Sequence, residues 1–334
     1  QLEDVAQLFL GVRMQCAQCH HHPFERWSQD DYYSFAAFFS QVGRKPTGTR
    51  GEDLIFHKRG LATAKNVKTG EALAPAAFGD DVGEISPDAD PRLRLADWMS
   101  SPKNPFFAKA LVNRYWKHFF TRGLIEPEDD IRDTNPPTNP ELLAALEEHF
   151  ISSGFDLKSL IREITRSTAY QLSSKPNNYN LVDRQNYSRY YPRRMQAEVL
   201  LDSIDFLTGA KTTFANLPPG TRAVALPDNS YNRASPLLQV FGRPNSLSVC
   251  ECERVQSSSL AQSLHLINSS EIKSKLAVAG GRAVRLATSN DVSDEDKITE
   301  LYVAAFSRKP RPDELATAIA YLNEPLTDAA GKPI

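Results

Sequence analysis

Hydrophobic residues recur every three or four positions along most of this chain, a spacing typical of helices that bury one face. The first series of this kind consists of Leu2, Val5, Leu8, Phe9 and Val12. It predicts one amphipathic helix over residues 1 to about 20. Pro23 is expected to end that helix, because proline lacks the backbone N–H that a helix interior needs.

The same periodicity returns after residue 91 and predicts a helical region that continues to the end of the chain. Asn104 and Pro105 are expected to open a helix through Phe120 that is apolar nearly all round and therefore buried, with Gly123 as its end. Most of the other predicted helices begin or end at capping residues, prolines or glycines. These helices cover residues 140–153, 157–164, 192–208, 260–268, 270–286 and 294–306, and a last helix starts at residue 313.

Between these two regions, glycines separate short apolar pieces such as Leu54-Ile55-Phe56. The run Asn66-Val67-Lys68-Thr69-Gly70 has the composition of a tight turn, so we predict a small β-hairpin insertion. A chain of 334 residues exceeds one average domain. We therefore divide it into an N-terminal segment over residues 1–45, a β-rich insertion or linker over 46–90, and a helical domain over 91–334.

One short motif near the start carries recognisable chemistry, Cys16-Ala17-Gln18-Cys19-His20. Two thiols on a short spacer can bond both vinyl groups of one porphyrin, and the neighbouring imidazole can bind the iron. The motif predicts covalent haem c on Cys16 and Cys19, with His20 as the proximal iron ligand. The spacing also permits a zinc site formed by Cys16, Cys19, His20 and His22, or a redox dithiol present as a disulfide or as free thiols.

Longer stretches around and after this motif resemble two known families. The run FLGVRMQCAQCHHHPFERWSQDDYYSFAAFF resembles the end of the planctomycete cytochrome-like domain of the second type, although His21 stands where that family usually has Asp. The runs NPFFAKALVNRYWKHFFTRGLIEPEDDIRDTNPP, YYPRRMQAEVLLDSI and FGRPNSLSVCECER resemble the planctomycete-specific domain of unknown function that usually follows. The resemblance covers residues from about 8 to 325 and supplies no established catalytic residues. It implies a large secreted cytochrome-like protein.

With this resemblance, the expected fold class is mainly α. It comprises a multi-helical domain, a short N-terminal cytochrome-c-like helical segment and the small β-hairpin insertion. Aromatic residues are concentrated directly after the motif, and they would form either a wall against the porphyrin or a small core without a cofactor. They are Phe24, Trp27, Tyr32, Tyr33, Phe35, Phe38 and Phe39.

The ligand on the far side of the iron is left open by the sequence. His22 is too close to His20 to reach the opposite face. Candidates further along are His118 in the predicted buried helix, Met99 before it and His57 in the insertion, and a water-bound or open position is the alternative. A second strong ligand would favour electron transfer, whereas an open position would favour small-molecule chemistry.

Acidic residues crowd one segment, which contains Glu126, Glu128, Asp129, Asp130 and Asp133. Such a cluster could bind calcium or supply an acid/base pair for ester or glycoside chemistry. Because Arg122 and Arg132 lie beside it, a solvated or ion-paired loop is the favoured interpretation.

Composition narrows the function classes further. Hydrophobic residues make up 41% and charged residues 24%, as in ordinary globular proteins. The net charge of −2 gives no electrostatic reason to expect binding to nucleic acid or to an anionic membrane surface. No apolar run approaches the ~18–20 residues of a membrane span. Haem attachment to this motif normally takes place outside the cytoplasm, so we expect an exported (periplasmic or extracellular) fragment of a longer precursor.

The leading expectation is a c-type haem module that transfers or senses electrons with an unidentified redox partner, joined to further domains of a longer chain. The runner-up, from a different class, is an enzyme or binding module for extracellular polymers such as polysaccharides, in which haem is structural. The zinc site at the same motif is the third possibility.

Cys250 and Cys252 form a second pair, separated from the motif by most of the chain. Their spacing is too short for an easy disulfide in an extended strand. Two plain thiols, a strained redox-active disulfide ring or a metal-binding pair remain open. Because they lie far along the chain from Cys16 and Cys19, we predict that replacing both with Ser leaves the haem absorption spectrum unchanged. A shifted Soret band in that double variant would contradict the prediction that Cys250 and Cys252 do not contact the haem.

Overall fold

The computed structural model describes residues 1–49, 52–78, 80–245 and 258–325. Cys250 and Cys252 lie outside these ranges, so their state stays a prediction. The chain forms two compact units, one from Gln1 to Arg193 and one that starts at Arg194. The domain limits proposed at residues 45 and 90 fall inside the first unit, and they also stay a prediction. Helices dominate over short strands, which confirms the mainly α fold.

The first helix is shorter than its periodicity predicts. Helix α1 spans Leu2–Val5 and continues as a π-helical turn, Ala6–Leu10, which Gly11 ends in a left-handed conformation with φ of 67°. A Cβ at Gly11 would lie 2.7 Å from the side chain of Ile131, so glycine suits this position for two reasons. The cysteine motif follows on a separate 3₁₀ turn, Gln15–Gln18. The prediction of one helix to about residue 20 is therefore wrong.

Helix α2, Gln29–Ala37, begins where the sequence predicts a helix start. The Ser28 hydroxyl accepts a hydrogen bond from the backbone N–H of Asp31 (3.1 Å), and the Asp31 carboxylate accepts one from the backbone N–H of Ser28 (2.7 Å). This reciprocal capping box satisfies two donors that a helix start leaves unpaired.

The insertion contains small two-stranded antiparallel sheets, which confirms the predicted β-hairpin character. The longest pairs Val42 with His57 at one end and Pro46 with Asp53 at the other. The strand pairs are β1 (Val42–Pro46) with β2 (Asp53–His57), β3 (Ala64–Lys65) with β4 (Ala72–Leu73), and β5 (Ala76–Ala77) with β6 (Asp80–Asp81).

The remaining helices of the first unit are α3 (Pro91–Met99), α4 (Phe107–Phe120), α5 (Pro140–Ser152) and α6 (Leu157–Arg166). Helix α4 buries the face that carries Val112, Trp116 and Phe120 against α5 and α6. It leaves His118 exposed, so the prediction of a helix buried on all sides is wrong. It also ends at Thr121, in a left-handed conformation with φ of 68°, and not at Gly123.

The helices of the second unit are α7 (Ala197–Thr208), α8 (Pro236–Val240), α9 (Leu260–Asn268), α10 (Ser270–Leu276), α11 (Arg282–Thr288), α12 (Asp294–Phe306) and α13 (Pro312–Leu322). Helix α7 starts five residues later than Pro192 because Gln196 is still extended. The helix predicted over residues 270–286 is two helices, since Gly280 turns the chain with φ of 72°. Buried Leu201, Leu237 and Phe241 form part of the core of this unit.

Among the residues that the structure describes, every helix is too short or too polar to cross a membrane.

Candidate haem-attachment site

The cysteine motif is an exposed 3₁₀ turn with one buried residue at its centre. Cys16 and Cys19 are both exposed, free thiols. In a 3₁₀ turn residues three apart eclipse each other, so the two thiols face the same side. Ala17 between them is fully buried and holds the turn on the core. The turn therefore presents two sulfur atoms side by side to any molecule outside it.

Helix α2 holds this turn in place. The backbone carbonyl of Gln18 accepts hydrogen bonds from the side-chain amide of Gln29 (3.0 Å) and from the hydroxyl of Tyr33 (3.2 Å). Both donors lie on α2 and both are buried. The orientation of the thiols is thus determined by packing against the next helix, in addition to the local turn.

His20 has one ring nitrogen engaged and one free to bind a metal. Its backbone N–H bonds the carbonyl of Cys16 (3.3 Å), which ties the His20 backbone to the turn that carries the thiols. Its Nδ1 lies 2.6 Å from the carbonyl oxygen of His21. Because a carbonyl only accepts, Nδ1 carries a proton, and in the neutral ring Nε2 then holds the lone pair. This is the pattern in which metal-binding histidines are held, with the other nitrogen hydrogen-bonded.

His22 is held differently, as an acceptor within the chain. Its backbone N–H bonds the carbonyl of Trp27 (2.8 Å), and its Nδ1 accepts from the backbone N–H of Phe24 (3.3 Å). Burial and the neighbouring Arg132 guanidinium lower the pKa of His22, which favours the neutral ring. Among the described residues, no three His, Cys, Asp or Glu side chains lie close enough together to hold a metal ion. The four residues of the possible zinc site therefore do not converge in this conformation.

The acidic segment after α4 fixes the residues that lead into the motif. Asp129 is completely buried and accepts hydrogen bonds from Arg13 (2.6 Å) and from the side-chain amide of Gln7. The backbone N–H of Ile131 bonds the carbonyl of Gly11 (2.8 Å). Sequence reasoning did not connect these positions, because they lie more than a hundred residues apart.

Three further acids of this segment, Glu126, Glu128 and Asp130, are also paired, whereas Asp133 is exposed. Lys117 on α4 bonds Glu126 (2.7 Å) and Glu128, and Asp130 contacts Arg132 at 3.3 Å. Burial alone would lower the pKa of Lys117, but the hydrogen bonds that its ammonium donates to the two carboxylates raise the pKa above its usual value. The ion-paired loop favoured by the sequence is the arrangement that the structure contains, and these carboxylates are engaged in holding the chain.

Most of the aromatic residues after the motif form a core of their own. Trp27, Phe35 and Phe38 are buried, and the ring of Phe35 stacks on Phe78 with centroids 4.7 Å apart. Phe24 differs, because 66% of its surface is exposed and the Arg132 guanidinium lies 5.7 Å from its ring centroid. Of the group put forward as a porphyrin wall, Phe24 is an exposed ring within four residues of His20.

The three candidates for the sixth iron ligand have different surroundings. His118 is exposed near the end of α4, with its ring edge-on to Phe119. Met99 is the last residue of α3 and packs against the aromatic core. His57 lies in register with Val42 in the β1–β2 sheet of the insertion, and its Nε2 is buried with no hydrogen-bond partner among the described residues. The choice among them stays a prediction.

The second unit contains a cleft of about 950 Å³ between α7, the chain after it and the end of α12. Two carboxylates of α7 line this cleft, but both are engaged in hydrogen bonds with the residues that form its wall. Asp202 accepts from the backbone N–H of Ala223 (2.7 Å), and Asp205 accepts from the backbone N–H of Thr212 (2.8 Å) and from Lys275. The cleft can admit a small molecule, yet these two acids are not available as a free acid/base pair.

The structure is thus a mainly helical protein with an exposed Cys-x-x-Cys-His turn fixed by the helical region that follows. A family model described as PSD1, protein of unknown function (DUF1553), matches residues 91–322, and the chain belongs to this family. A model described as PSCyt2, protein of unknown function (DUF1549), matches residues 1–44. This order confirms the resemblance noted from the sequence. No curated protein matches the chain, and no solved structure does either.

Replacing Asp129 with Asn tests how strongly the acidic segment holds the motif. Near neutral pH we expect the free energy of unfolding to fall by about 1.5–3 kcal/mol, because a charged hydrogen bond to buried Asp129 is lost. All three Trp residues lie in the first unit, so urea unfolding followed by tryptophan fluorescence reports on it. Exposed Asp133→Asn is the control and should change stability by less than about 0.5 kcal/mol.

The effect of Asp129→Asn should also depend on pH. Burial acts to raise the pKa of Asp129, but the bonds from Arg13 and Gln7 hold it below the usual value. Its stabilisation is therefore present above the ordinary aspartate pKa and is lost as pH falls through the lowered value. Parent and variant should converge in acid, and a difference that persists at low pH would contradict this account.

Proposed function

We propose that this protein carries one haem c, bound covalently through Cys16 and Cys19 and ligated by Nε2 of His20. The observation that carries the proposal is the state of His20. Its Nδ1 donates to a backbone carbonyl, which leaves Nε2 of the neutral ring as the ligand atom, and His20 directly follows two exposed thiols three positions apart in one turn. This donor set suits one porphyrin with one proximal imidazole, and it needs no further ligand from the same segment.

The residues of this chain would hold the cofactor in three ways. Each thiol S–H would add across one vinyl C=C bond, with sulfur bonded to one carbon and hydrogen to the other, so no electrons would be gained or lost. His20 is oriented by the His21 carbonyl, and exposed Phe24 offers an apolar surface close by. When bound, haem supplies one-electron iron chemistry, which supports electron transfer or redox sensing as the role.

The location and partners follow from the same proposal. Because haem is joined to Cys-x-x-Cys-His motifs outside the cytoplasm, an exported module of a longer chain fits best, with a redox partner that is still to be identified. The zinc alternative at this motif has less support, since Nδ1 of His22 accepts from the backbone N–H of Phe24, so that Nε2 of the neutral ring carries the proton and offers no lone pair.

The direct test is covalent attachment. Protein produced together with haem-maturation machinery should stay red after extraction with acidified acetone, because thioether bonds survive that treatment. Cys16→Ser with Cys19→Ser should be colourless after the same extraction, while the surface change Ser152→Ala should behave as the parent. Colourless parent protein with stoichiometric zinc would end the haem proposal.

A second test concerns the far side of the iron. We expect His118→Ala to change the low-temperature electron spin resonance spectrum, because His118 is exposed and its helix packs against the π-helical turn before the motif. His57→Ala and Met99→Ala should keep the parent spectrum, as should the control His149→Ala, whose ring bonds Ser159. An unchanged spectrum in all variants would mean an open or water-bound iron, and small-molecule chemistry would then be favoured.

A further inference from the structure

A long loop in the first unit, residues 171–191, is closed and anchored although it contains no regular helix or strand. The backbone N–H of Tyr190 bonds the carbonyl of Ser173 (3.2 Å), so the two ends of the loop meet. Tyr187 is buried in the helical core, and its hydroxyl donates to the carbonyl of Gly123 (2.8 Å). These contacts make it a compact loop of the kind that frequently carries function.

Asp183 organises the inside of this loop. Its carboxylate accepts hydrogen bonds from the backbone N–H groups of Gln185 (3.0 Å), Asn186 (3.0 Å) and Ser188 (3.2 Å), and from the hydroxyls of Ser188 and Tyr191 (2.9 Å). Asp183 is the only acidic residue between positions 171 and 191. The single carboxylate of the loop is therefore hydrogen-bonded within the loop, mainly to backbone N–H groups.

The tip of the loop displays apolar side chains to solvent. Tyr179 is 97% exposed, Val182 is 85% exposed and Leu181 is 60% exposed. Hydrogen bonds between Asn177 and Asn180 fix the backbone directly around Tyr179. An ordered loop that presents a contiguous apolar tip in this way is a feature of interaction sites.

Positive charges flank the apolar tip. Lys175 and Arg184 are exposed and make no ion pair within the part of the chain that the structure describes. Arg189 lies over the ring of Tyr191, 4.9 Å from its centroid. The net charge of the whole chain is −2 and gives no attraction for anions, but with three basic residues and one internally bonded acid the outer surface of this loop is locally cationic.

We propose that this loop attaches the protein to a bilayer surface that contains anionic lipids. Tyr179, Leu181 and Val182 enter the headgroup region, while Lys175 and Arg184 bind the lipid phosphates. Aromatic and aliphatic side chains beside cations are the combination that suits this interface. Side chains as exposed as those of Tyr179 and Val182 can insert without a complementary partner surface. The attachment is peripheral and is independent of whether haem is bound.

The experiment is cosedimentation of the full chain with vesicles of phosphatidylcholine alone and with phosphatidylglycerol added. The parent should bind the anionic vesicles at least tenfold more tightly than the neutral ones, and added salt should weaken binding. Tyr179→Ser, Leu181→Ser and Val182→Ser combined should lower the affinity at least tenfold. Lys175→Gln with Arg184→Gln should remove most of the salt dependence.

The matched control replaces three exposed apolar residues elsewhere in the same unit, Leu61→Ser, Val67→Ser and Leu93→Ser, and should bind as the parent does. Tryptophan fluorescence verifies that each variant is folded. No binding of the parent to anionic vesicles, or an equal loss in the control, would overturn the proposal. In that case the exposed tip would have to meet another protein.

Discussion

The buried carboxylate of Asp129 is the constraint on which the position of the cysteine motif depends. It binds Arg13 and Gln7, which lie on either side of the turn at Gly11. Next to it, Ile131 bonds the Gly11 carbonyl and occupies the space that a side chain would need there. The segment matched by one family model is thus held by residues matched by the other. The two segments fold as parts of one unit, and the motif would lose its orientation without the helical region.

The cysteine motif is a turn that packs on the core and is hydrogen-bonded to α2. Ala17 is buried, the Gln18 carbonyl is bound by α2, and the outward side consists of two thiols and one imidazole. The exposed groups are the reactive ones, while the backbone that presents them is hydrogen-bonded within the turn and to α2. This division between a fixed scaffold and an accessible edge is what a covalently attached cofactor requires.

Acidic side chains have a common structural role in this protein. Asp129 holds the motif segment, Asp183 organises a loop from inside, and Asp202 and Asp205 fasten the chain after α7. Each accepts hydrogen bonds from backbone or basic groups that would otherwise be unsatisfied or unpaired. The sequence is rich in acidic residues, but these four serve the structure, so their presence does not by itself point to catalytic acids or bases.

The sequence by itself determined the helical class, most helix positions and the cysteine motif, because these depend on periodicity, capping residues and spacing over a few positions. It misplaced the end of the first helix, since the left-handed turn at Gly11 is stabilised by Ile131 far along the chain. The capping box of α2 was readable because its members are three residues apart. Three features were decided only by the tertiary structure. Asp129 is the acid that pairs with Arg13, Phe24 is exposed while most of its aromatic neighbours are buried, and α4 leaves His118 exposed. Those outcomes depend on contacts between distant segments, and no local pattern encodes them.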